Sequence, residues 1–390
     1  MSQQNENSEL ELTIVMPCLN EAETLEICIR KASSFLEKNA IKGEVLIGDN
    51  GSTDGSQEIA RRCGARVVDV PVRGYGAALF HATLAARSKY VVMGDSDDSY
   101  DFTNLMPFLE KLREGYELVM GNRFKGGIKP GAMPWKNRHI GNPVLSGIGM
   151  LLFHCPVSDF HCGLRAYSVE AFRRMDLRTT GMEFASEMVI KGTLLNLRIA
   201  EVPTTLSPDG RSRPPHLRPW RDGWRHLRFM LLCSPRWLFL YPGLLMIAAG
   251  LGVGAWLLPE RREVFGHVLD VHTLLYAAIA VIVGFQAVAF ALFARVFAVR
   301  EGVLPRSPRL EWLLASFNLD LGVLLGVVLV LTGIGGSIAT VVIWRSHEYG
   351  PLDPSATLRV VIPSILAFTL GCQMVLSSFF MSVLGLGVRK

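Results

Sequence analysis

The sequence predicts an α/β domain built on a mainly parallel, Rossmann-like sheet, followed by an all-α transmembrane domain. Three observations carry that prediction. Short apolar runs ending at Pro, Gly or Asp alternate with helical stretches up to about residue 208. Beyond residue 235 the chain turns to long apolar runs nearly free of charge. The whole, at 49% hydrophobic residues and a mean hydropathy of +0.29, is too apolar for a soluble chain, and the excess lies in the second part.

Leu12 to Met16 reads as a buried strand ended by Pro17. Asn20-Glu21-Ala22-Glu23 then offers an N-cap with Glu at the N3 position, so a helix is expected to start there. Glu44 to Gly48 forms a second strand, stopped by the turn-rich Asp49-Asn50-Gly51-Ser52-Thr53-Asp54-Gly55. A helix through Ala60 leads to a strand over Arg66 to Val70. The Gly-containing loop Arg73-Gly74-Tyr75-Gly76, a helix to Arg87 and a strand from Tyr90 to Met93 come next. Helix Phe102 to Arg113 and strand Glu117 to Met120 continue the rhythm. Such a chain covers a parallel sheet with helices on both faces and binds ligands beyond the carboxyl ends of the strands. Asp49 and Asp95, each just after a strand, are expected to converge there.

The expected divisions are a polar tail over 1–11, the α/β domain over 12–208, a basic interfacial segment over 209–234 and the membrane domain over 235–390. Four spans are expected, at about 237–258, 274–293, 321–344 and 360–388. The interfacial segment holds Arg211, Arg213, Arg218, Arg221, Arg225 and Arg228 against Asp209 and Asp222, interleaved with Trp220 and Trp224. Arginines with tryptophans beside a span describe a helix lying in the headgroup layer. A nucleic-acid surface is the rival reading; the adjoining span argues against it, and the net charge of +5 lends it little. Arg295, Arg300, Arg306 and Arg309 lie around the connection between the second and third spans, and Arg389-Lys390 ends the chain. By the positive-inside rule, the first domain and both termini are expected on the cytoplasmic side, as an even number of spans requires. The polar, acidic start, Met1 to Glu11, has no basic and apolar leader, which agrees. Gly333, Gly335 and Gly336 suggest close helix packing, or glycine merely tolerated in lipid. The seven cysteines show no disulfide framework. A zinc site from His154-Cys155 and His161-Cys162 is disfavoured, because the spacing matches no common zinc pattern.

Asp95, Asp97 and Asp98 follow an apolar strand. Three carboxylates so close repel one another, so either water solvates them or a hard divalent cation, Mg²⁺ or Mn²⁺, neutralises them and binds a diphosphate. Their place at the end of a strand in an α/β sheet favours the cation. Asp49 is either a turn and cap residue or an acceptor of hydrogen bonds from a base or ribose.

Together these stretches are more specific than any one alone. Val15-Met16-Pro17-Cys18-Leu19-Asn20-Glu21, Asp49 to Gly55, Arg73 to Ala78, Asp95-Ser96-Asp97 and Gly121-Asn122-Arg123 fall in a familiar order. Asp159-Phe160-His161-Cys162-Gly163-Leu164-Arg165-Ala166 and Glu201-Val202-Pro203 extend the match. Over Leu12 to Arg213 the chain resembles family 2 glycosyltransferases of the GT-A fold, and among them the dolichyl- and polyprenyl-phosphate sugar synthases. The resemblance implies a nucleotide pocket lined by Pro17, Asn20, Glu21 and Asp49, with Asp54, Arg73, Gly74 and Ser96 in the matching stretches. It implies a metal-binding Asp-x-Asp at Asp95 and Asp97, with Asp97 ahead of Asp95 as the direct ligand. Arg123 matches an Arg that meets the lipid phosphate, although Asn122 replaces the family's Ser. Arg138 and Asn142 fall at further acceptor-phosphate positions, beyond an insertion over Gly126 to Met133. Arg211-Ser212-Arg213 resembles a basic segment that closes over donor or acceptor phosphates.

The expected reaction moves a hexose from a nucleotide sugar, UDP-glucose or GDP-mannose, to polyprenyl phosphate, with inversion as the resemblance implies. A phosphomonoester is ionised near neutral pH and needs no dedicated base, so the protein's task is to bring two anions together. Glu183 and Glu187, at i,i+4 on a helix over Met182 to Leu195, are expected to support neighbouring contacts rather than act as a base. Two other functions remain as alternatives: a transferase to a hydroxyl or a growing glycan, and an inactive scaffold or lipid-linked-sugar translocator. Processive relatives carry Gln-x-x-Arg-Trp at the membrane, whereas this chain has Ser234-Pro235-Arg236-Trp237. A homo-oligomer is left open.

Overall fold

A computed structural model describes residues 10–212, 219–305 and 319–385. The chain separates into two compact units at Met230 and Leu231. In the first, seven strands form one sheet: β1 (Leu10–Cys18), β2 (Gly43–Asp49), β3 (Arg66–Asp69), β4 (Ser88–Met93), β5 (Leu118–Asn122), β6 (Arg165–Ser168) and β7 (Ile199–Pro203), in the order β3-β2-β1-β4-β6-β5-β7. β1 pairs in parallel with β2 and β4, and β5 in parallel with β7. β6 runs antiparallel to both of its neighbours, β4 and β5. The sheet is therefore mainly parallel, as the strand–helix rhythm predicted. The antiparallel β6 was not foreseen, because four residues inside a motif give no periodicity to detect.

Thr13, Ile14, Val15 and Met16 are all buried, so β1 is covered on both faces. α1 (Leu25–Lys38) places Cys28, Ile29, Ala32 and Phe35 in the core with Leu12, Ile14 and Met16. α2 (Ser56–Arg62), α3 (Tyr75–Ala85) and α4 (Met106–Arg113) follow β2, β3 and β4. α5 (Arg123–Gly126), α6 (Asn142–Phe153), α7 (Val169–Met175), α8 (Phe184–Leu194) and α9 (Pro219–Leu232) complete the first unit's helices. In register, Cys18 lies opposite Asp49, Asp49 opposite Asp69 and Val15 opposite Met93. The carboxyl ends of four adjacent strands thus open along one edge.

Two helix starts differ from expectation. α1 begins at Leu25, not Asn20, and no capping box forms. Asn20 takes a left-handed φ of 59°, and its Oδ1 accepts from the Thr53 N–H at 2.7 Å instead of capping a helix. α4 begins at Met106, not Phe102. Asp101 accepts from the Thr103 N–H and hydroxyl in a local turn, while Phe102 is fully buried beneath Gly94.

Among the described residues, the second unit holds four helices long and apolar enough to cross a membrane, over Arg236–Leu257, Val271–Arg300, Leu319–Ser346 and Pro354–Leu384. The first comprises a π-helical turn, Arg236–Leu240, and α10 (Tyr241–Leu257); α11 (Val271–Arg300), α12 (Leu319–Ser346) and α13 (Pro354–Gly385) follow. A short hairpin, β8 (Arg262–Val264) with β9 (His267–Leu269), joins α10 to α11. Its turn, Phe265-Gly266, has positive φ at both residues, a hairpin signal passed over within a connection. α12 packs on α13 through Gly333 and Gly336. A Cβ on Gly333 would lie 2.6 Å from Phe368 N and Ser364 O, and one on Gly336 would lie 2.1 Å from Ser364 Oγ. Gly335 faces open space, so two of the three glycines are packing residues and the third is not.

That contrast makes a prediction. Gly333→Leu should lower the thermal midpoint of the purified protein, by overpacking worth about 1–3 kcal/mol or more. Gly335→Leu should leave it unchanged.

Candidate active site

Loops after β1, β2, β3 and β4 are bound together at the carboxyl edge of the sheet. After β1, the Asn20 N–H donates to Ser52 Oγ at 2.9 Å and the Glu21 N–H to Ser56 Oγ at 3.0 Å. Asp54 accepts from the Ala22 N–H at 3.0 Å and from Ser56, so it ties the β1 and β2 loops together. Pro17 O accepts from Ser96 Oγ at 2.7 Å, which joins the β1 loop to the β4 loop. Gly74, before α3, donates its N–H to Asn50 Oδ1 at 2.6 Å. A Cβ on Gly74 would lie 2.1 Å from Thr180 O, and its φ is 142°, so only glycine fits. Arg73 beside it is exposed.

Asp49 stands at the end of β2 and is 1% exposed. Its Oδ2 accepts from the Gly51 and Ser52 N–H groups at 3.0 and 3.1 Å and from Gln57 Nε2 at 2.6 Å. Burial alone would raise its pKa, but the bonds from Ser52, Gln57 and Gly51 outweigh it and hold the carboxyl below its ordinary value. Its Oδ1 is buried with no hydrogen-bond partner among the described residues. A lone buried acceptor on an ionised carboxylate suits an N–H or O–H donor from a ligand.

The acidic stretch separates into distinct tasks. Asp95 Oδ1 accepts from the Tyr75 hydroxyl at 2.9 Å. Burial first, and then the charge of Asp97, raise the Asp95 pKa to about 7. Asp97 Oδ1 accepts from the Ser99 N–H at 3.0 Å and hydroxyl at 2.6 Å, while Oδ2 lies 3.3 Å from Arg211 Nη2. Asp98 does not join them: it has a φ of 62° and pairs with Lys31 Nζ at 2.7 Å. The expected three-carboxylate site is thus a pair. Among the described residues no three His, Cys, Asp or Glu side chains converge on a common point, so a cation here would complete its shell with ligand oxygens and water. Two hard-oxygen donors, one driven toward protonation by its neighbour, fit a divalent cation of the Mg²⁺ or Mn²⁺ kind.

Arg123 lies at the other side. It is 8% exposed, and its main-chain N–H, Nε and Nη2 all donate to Asp159, at 2.9, 2.8 and 2.7 Å. Its partner Asp159 is fully buried. The pair leaves Nη1 outside these bonds, so far less of Arg123 faces a ligand than the sequence suggested. Glu201 organises the same corner, accepting from Asn122, Ser158, the Asp159 N–H and Lys125. Buried Arg165 donates to Cys162 O, Ala185 O and Phe160 O and holds that loop in place. Gly163 presses on Asp95, since a Cβ there would meet Asp95 Oδ2 at 2.5 Å. Arg138 stands exposed on a π-helical turn (Asn137–Gly141), and Asn142 Nδ2 donates to Met133 Sδ at 3.3 Å. Arg213 lies outside the described residues. Arg211 stands among the carboxylates of the β1 and β4 loops: it pairs with Glu21 Oε1 at 2.9 Å, with Asp97 and with Asp209.

Glu183 pairs with Arg225 at 2.7 Å. Glu187 is 2% exposed, accepting from the Arg178 and Thr179 N–H groups and the Thr179 hydroxyl and pairing with Lys191 at 3.0 Å. Both are supports. The largest exposed side chains of the first unit gather on two elements, Trp135, Ile140, Val144 and Leu151 on and before α6, and Trp220 and Trp224 on α9. These elements adjoin, with Leu145 Cδ1 4.0 Å from a Cβ built on Gly223.

Residues 13–176 match the family model described as glycosyl transferase family 2, and residues 292–385 match that of the glycosyltransferase family 2 C-terminal transmembrane region. The low-salt glycan biosynthesis hexosyltransferase Agl6 of Haloferax volcanii is 37% identical over 381 residues, 96% of this chain and 89% of that protein. The chain is a family 2 glycosyltransferase. It is a membrane protein, with the GT-A type of fold in its first unit. This glycosyltransferase is also 34% identical over 194 residues to the dolichyl-phosphate hexose transferase of the same organism, covering 50% of this chain and 81% of that one. Among solved structures, glucosyl-3-phosphoglycerate synthase from Mycobacterium tuberculosis, crystallised with Mn²⁺, UDP and glucosyl-3-phosphoglycerate, aligns with a TM-score of 0.45. That match is 26% identical and covers 58% of this chain and 80% of that chain.

Sequence reasoning passed over Tyr75, Asn50, Asp159 and Glu201 as individual side chains, although each lies in a motif it used. His161, weighed in the sequence only as half of a disfavoured zinc site, has two buried ring nitrogens with no hydrogen-bond partner among the described residues. The His161 ring meets that of His226 on α9 edge to face at 4.7 Å, and His226 Nδ1 bonds Ser186 Oγ at 2.7 Å.

The two histidines set a pH dependence. Burial lowers the His226 pKa from 6.5 to about 4; Glu183 and Asp222 pull it upward, Arg165 and Arg225 push it down. Burial and His226 likewise hold His161 well below its ordinary value. The unfolded chain therefore takes up protons at these rings that the folded one refuses, so the stability they contribute is complete above pH 6.5 and is lost as pH falls toward 4. Asp95, raised to about 7, gains stability over the same window, so the histidine part is read as a difference: the thermal midpoint of wild type relative to that of His226→Asn should decline from pH 6.5 to 4.

Proposed function

We propose that this glycosyltransferase moves a hexose from a nucleotide sugar of the UDP-glucose or GDP-mannose type to polyprenyl phosphate at the cytoplasmic membrane face. What carries the proposal is Asp49, Asp95 and Asp97 gathered at the carboxyl edge of the sheet, in one unit with two adjoining apolar faces: α6, with Trp135 before it, and α9, with Trp220 and Trp224. The dolichyl-phosphate hexose transferase relative supports a lipid phosphate as acceptor.

In this reading the free Oδ1 of Asp49 accepts from the base or ribose, and the main chain around Pro17, Asn20 and Gly74 shapes the slot. Mg²⁺ or Mn²⁺, held by Asp97 with Asp95 behind it, would supply positive charge to the departing diphosphate. The Tyr75 hydroxyl orients Asp95. Arg123, through Nη1, and Arg138 offset the charge of the incoming lipid phosphate, which is itself the nucleophile. A phosphate acceptor needs no general base. That suits a site where Glu183 and Glu187 are both committed to cations or main-chain N–H groups, and it disfavours a hydroxyl acceptor. The arginines near the second and third spans support a cytoplasmic catalytic unit and cytoplasmic termini.

Purified protein given polyprenyl phosphate, Mn²⁺ and a panel of labelled nucleotide sugars should form a lipid-soluble labelled product. No product with any donor would sink the proposal. Asp97→Ala should cut kcat by about 100-fold or more without loss of lipid binding. Arg123→Ala should raise KM for the lipid and leave that for the donor alone; a donor-only effect would place Arg123 wrongly.

A further inference from the structure

We propose that Arg211 makes cation binding conditional on the nucleotide, its guanidinium standing on Asp97 and Glu21 until metal and diphosphate arrive together. The inference rests on the donor-site reading above and adds a role to a residue that the sequence placed over donor or acceptor phosphates.

Asp97 has one oxygen committed to Ser99 through two hydrogen bonds. The other, Oδ2, is left for a cation, and Arg211 Nη2 lies 3.3 Å from it. Arg211 Nη1 meanwhile holds Glu21 Oε1 at 2.9 Å. A divalent cation on Oδ2 would sit against a second positive charge, so cation and guanidinium compete for one oxygen. The side chain is 10% exposed and partnered on three carboxylates. One of them, Asp209, lies two residues away and moves with it, so Arg211 can leave Asp97 and Glu21 without becoming an unpaired charge.

The segment carrying Arg211 is fastened to the same pocket. The Gly210 N–H donates to Asp97 O at 2.9 Å, and the Ser212 N–H and hydroxyl both donate to Glu23 at 2.7 Å. Displacement of the guanidinium therefore happens beside the β1 and β4 loops, within reach of a diphosphate. A diphosphate offers Arg211 a replacement anion at the moment that the metal takes Asp97. Metal alone offers none. Free Mn²⁺ then binds weakly, and the nucleotide complex binds well.

The test measures Mn²⁺ binding by electron paramagnetic resonance to the full chain in nanodiscs, with and without UDP or GDP. Wild type should bind Mn²⁺ about 5- to 100-fold more tightly when the matching diphosphate is present. Arg211→Gln should tighten nucleotide-free Mn²⁺ binding by about 5- to 20-fold and shrink that coupling. Arg211→Lys keeps the charge without the fork and should fall between the two; it also serves if the Gln variant does not fold. Lys31→Gln removes a neighbouring charge that pairs with Asp98 but does not touch Asp97, and should change the affinity by less than about twofold. Unchanged or weaker Mn²⁺ binding in the Arg211 variants overturns the proposal, as does an equal gain in Lys31→Gln. No lipid enters the measurement, so failure of the acceptor reading leaves it intact. If neither diphosphate tightens Mn²⁺ binding to wild type, the donor-site reading falls and this role of Arg211 falls with it.

Discussion

Mutual repulsion among carboxylates at the carboxyl ends of β1, β2 and β4 is the constraint around which the first unit is organised. Glu21, Asp49, Asp95 and Asp97 stand in or beside a partly dry pocket, where like charges raise each other's energy far more than in water. Each is offset by a different device. Asp49 takes two main-chain N–H groups and Gln57, Asp95 takes the Tyr75 hydroxyl, and Asp97 and Glu21 share Arg211. The remaining loops exist in their observed shapes because those devices must be delivered. Gly74 lets the chain before Tyr75 run against Thr180, and Asn50 pins that chain to the end of β2. The price of concentrating so much charge is a rigid, heavily cross-bonded set of turns.

The same logic repeats, with signs reversed, at the other side of the site. Arg123 is a buried cation that would be costly alone, and Asp159 makes it bearable through a bidentate pair. Glu201 in turn fixes the main chain of Ser158 and Asp159. A motif that looks like a string of contacts to ligand is thus largely a scaffold around a buried ion pair.

Much of this was legible in the sequence. The parallel sheet followed from apolar runs alternating with helical stretches, and four membrane helices from length and lack of charge. Asp49 and Asp95 could be placed at strand ends because a strand's apolar run stops just before its carboxylate. What could not be read was pairing across long sequence distance. Nothing local tells that Asn20 spends its side chain on Thr53 instead of a helix start, that Asp98 turns to Lys31, or that Arg211 lies beside Asp97. Those choices depend on tertiary neighbours, 33, 67 and 114 residues away. β6 escaped for a different reason: four residues carry too little pattern to show their direction.

The shared register of β1 and β2 has a consequence for how this protein can change over time. Cys18 and Asp49 end their strands side by side, and side chains alternate between the two faces of a strand. Losing or gaining one residue inside β2 would move Asp49 by about 3.4 Å and flip every following side chain to the opposite face. Single-residue insertions and deletions in this strand should therefore be purged more strictly than conservative replacements. The loops that follow the strands, by contrast, have room to lengthen wherever they do not carry a carboxylate's partner.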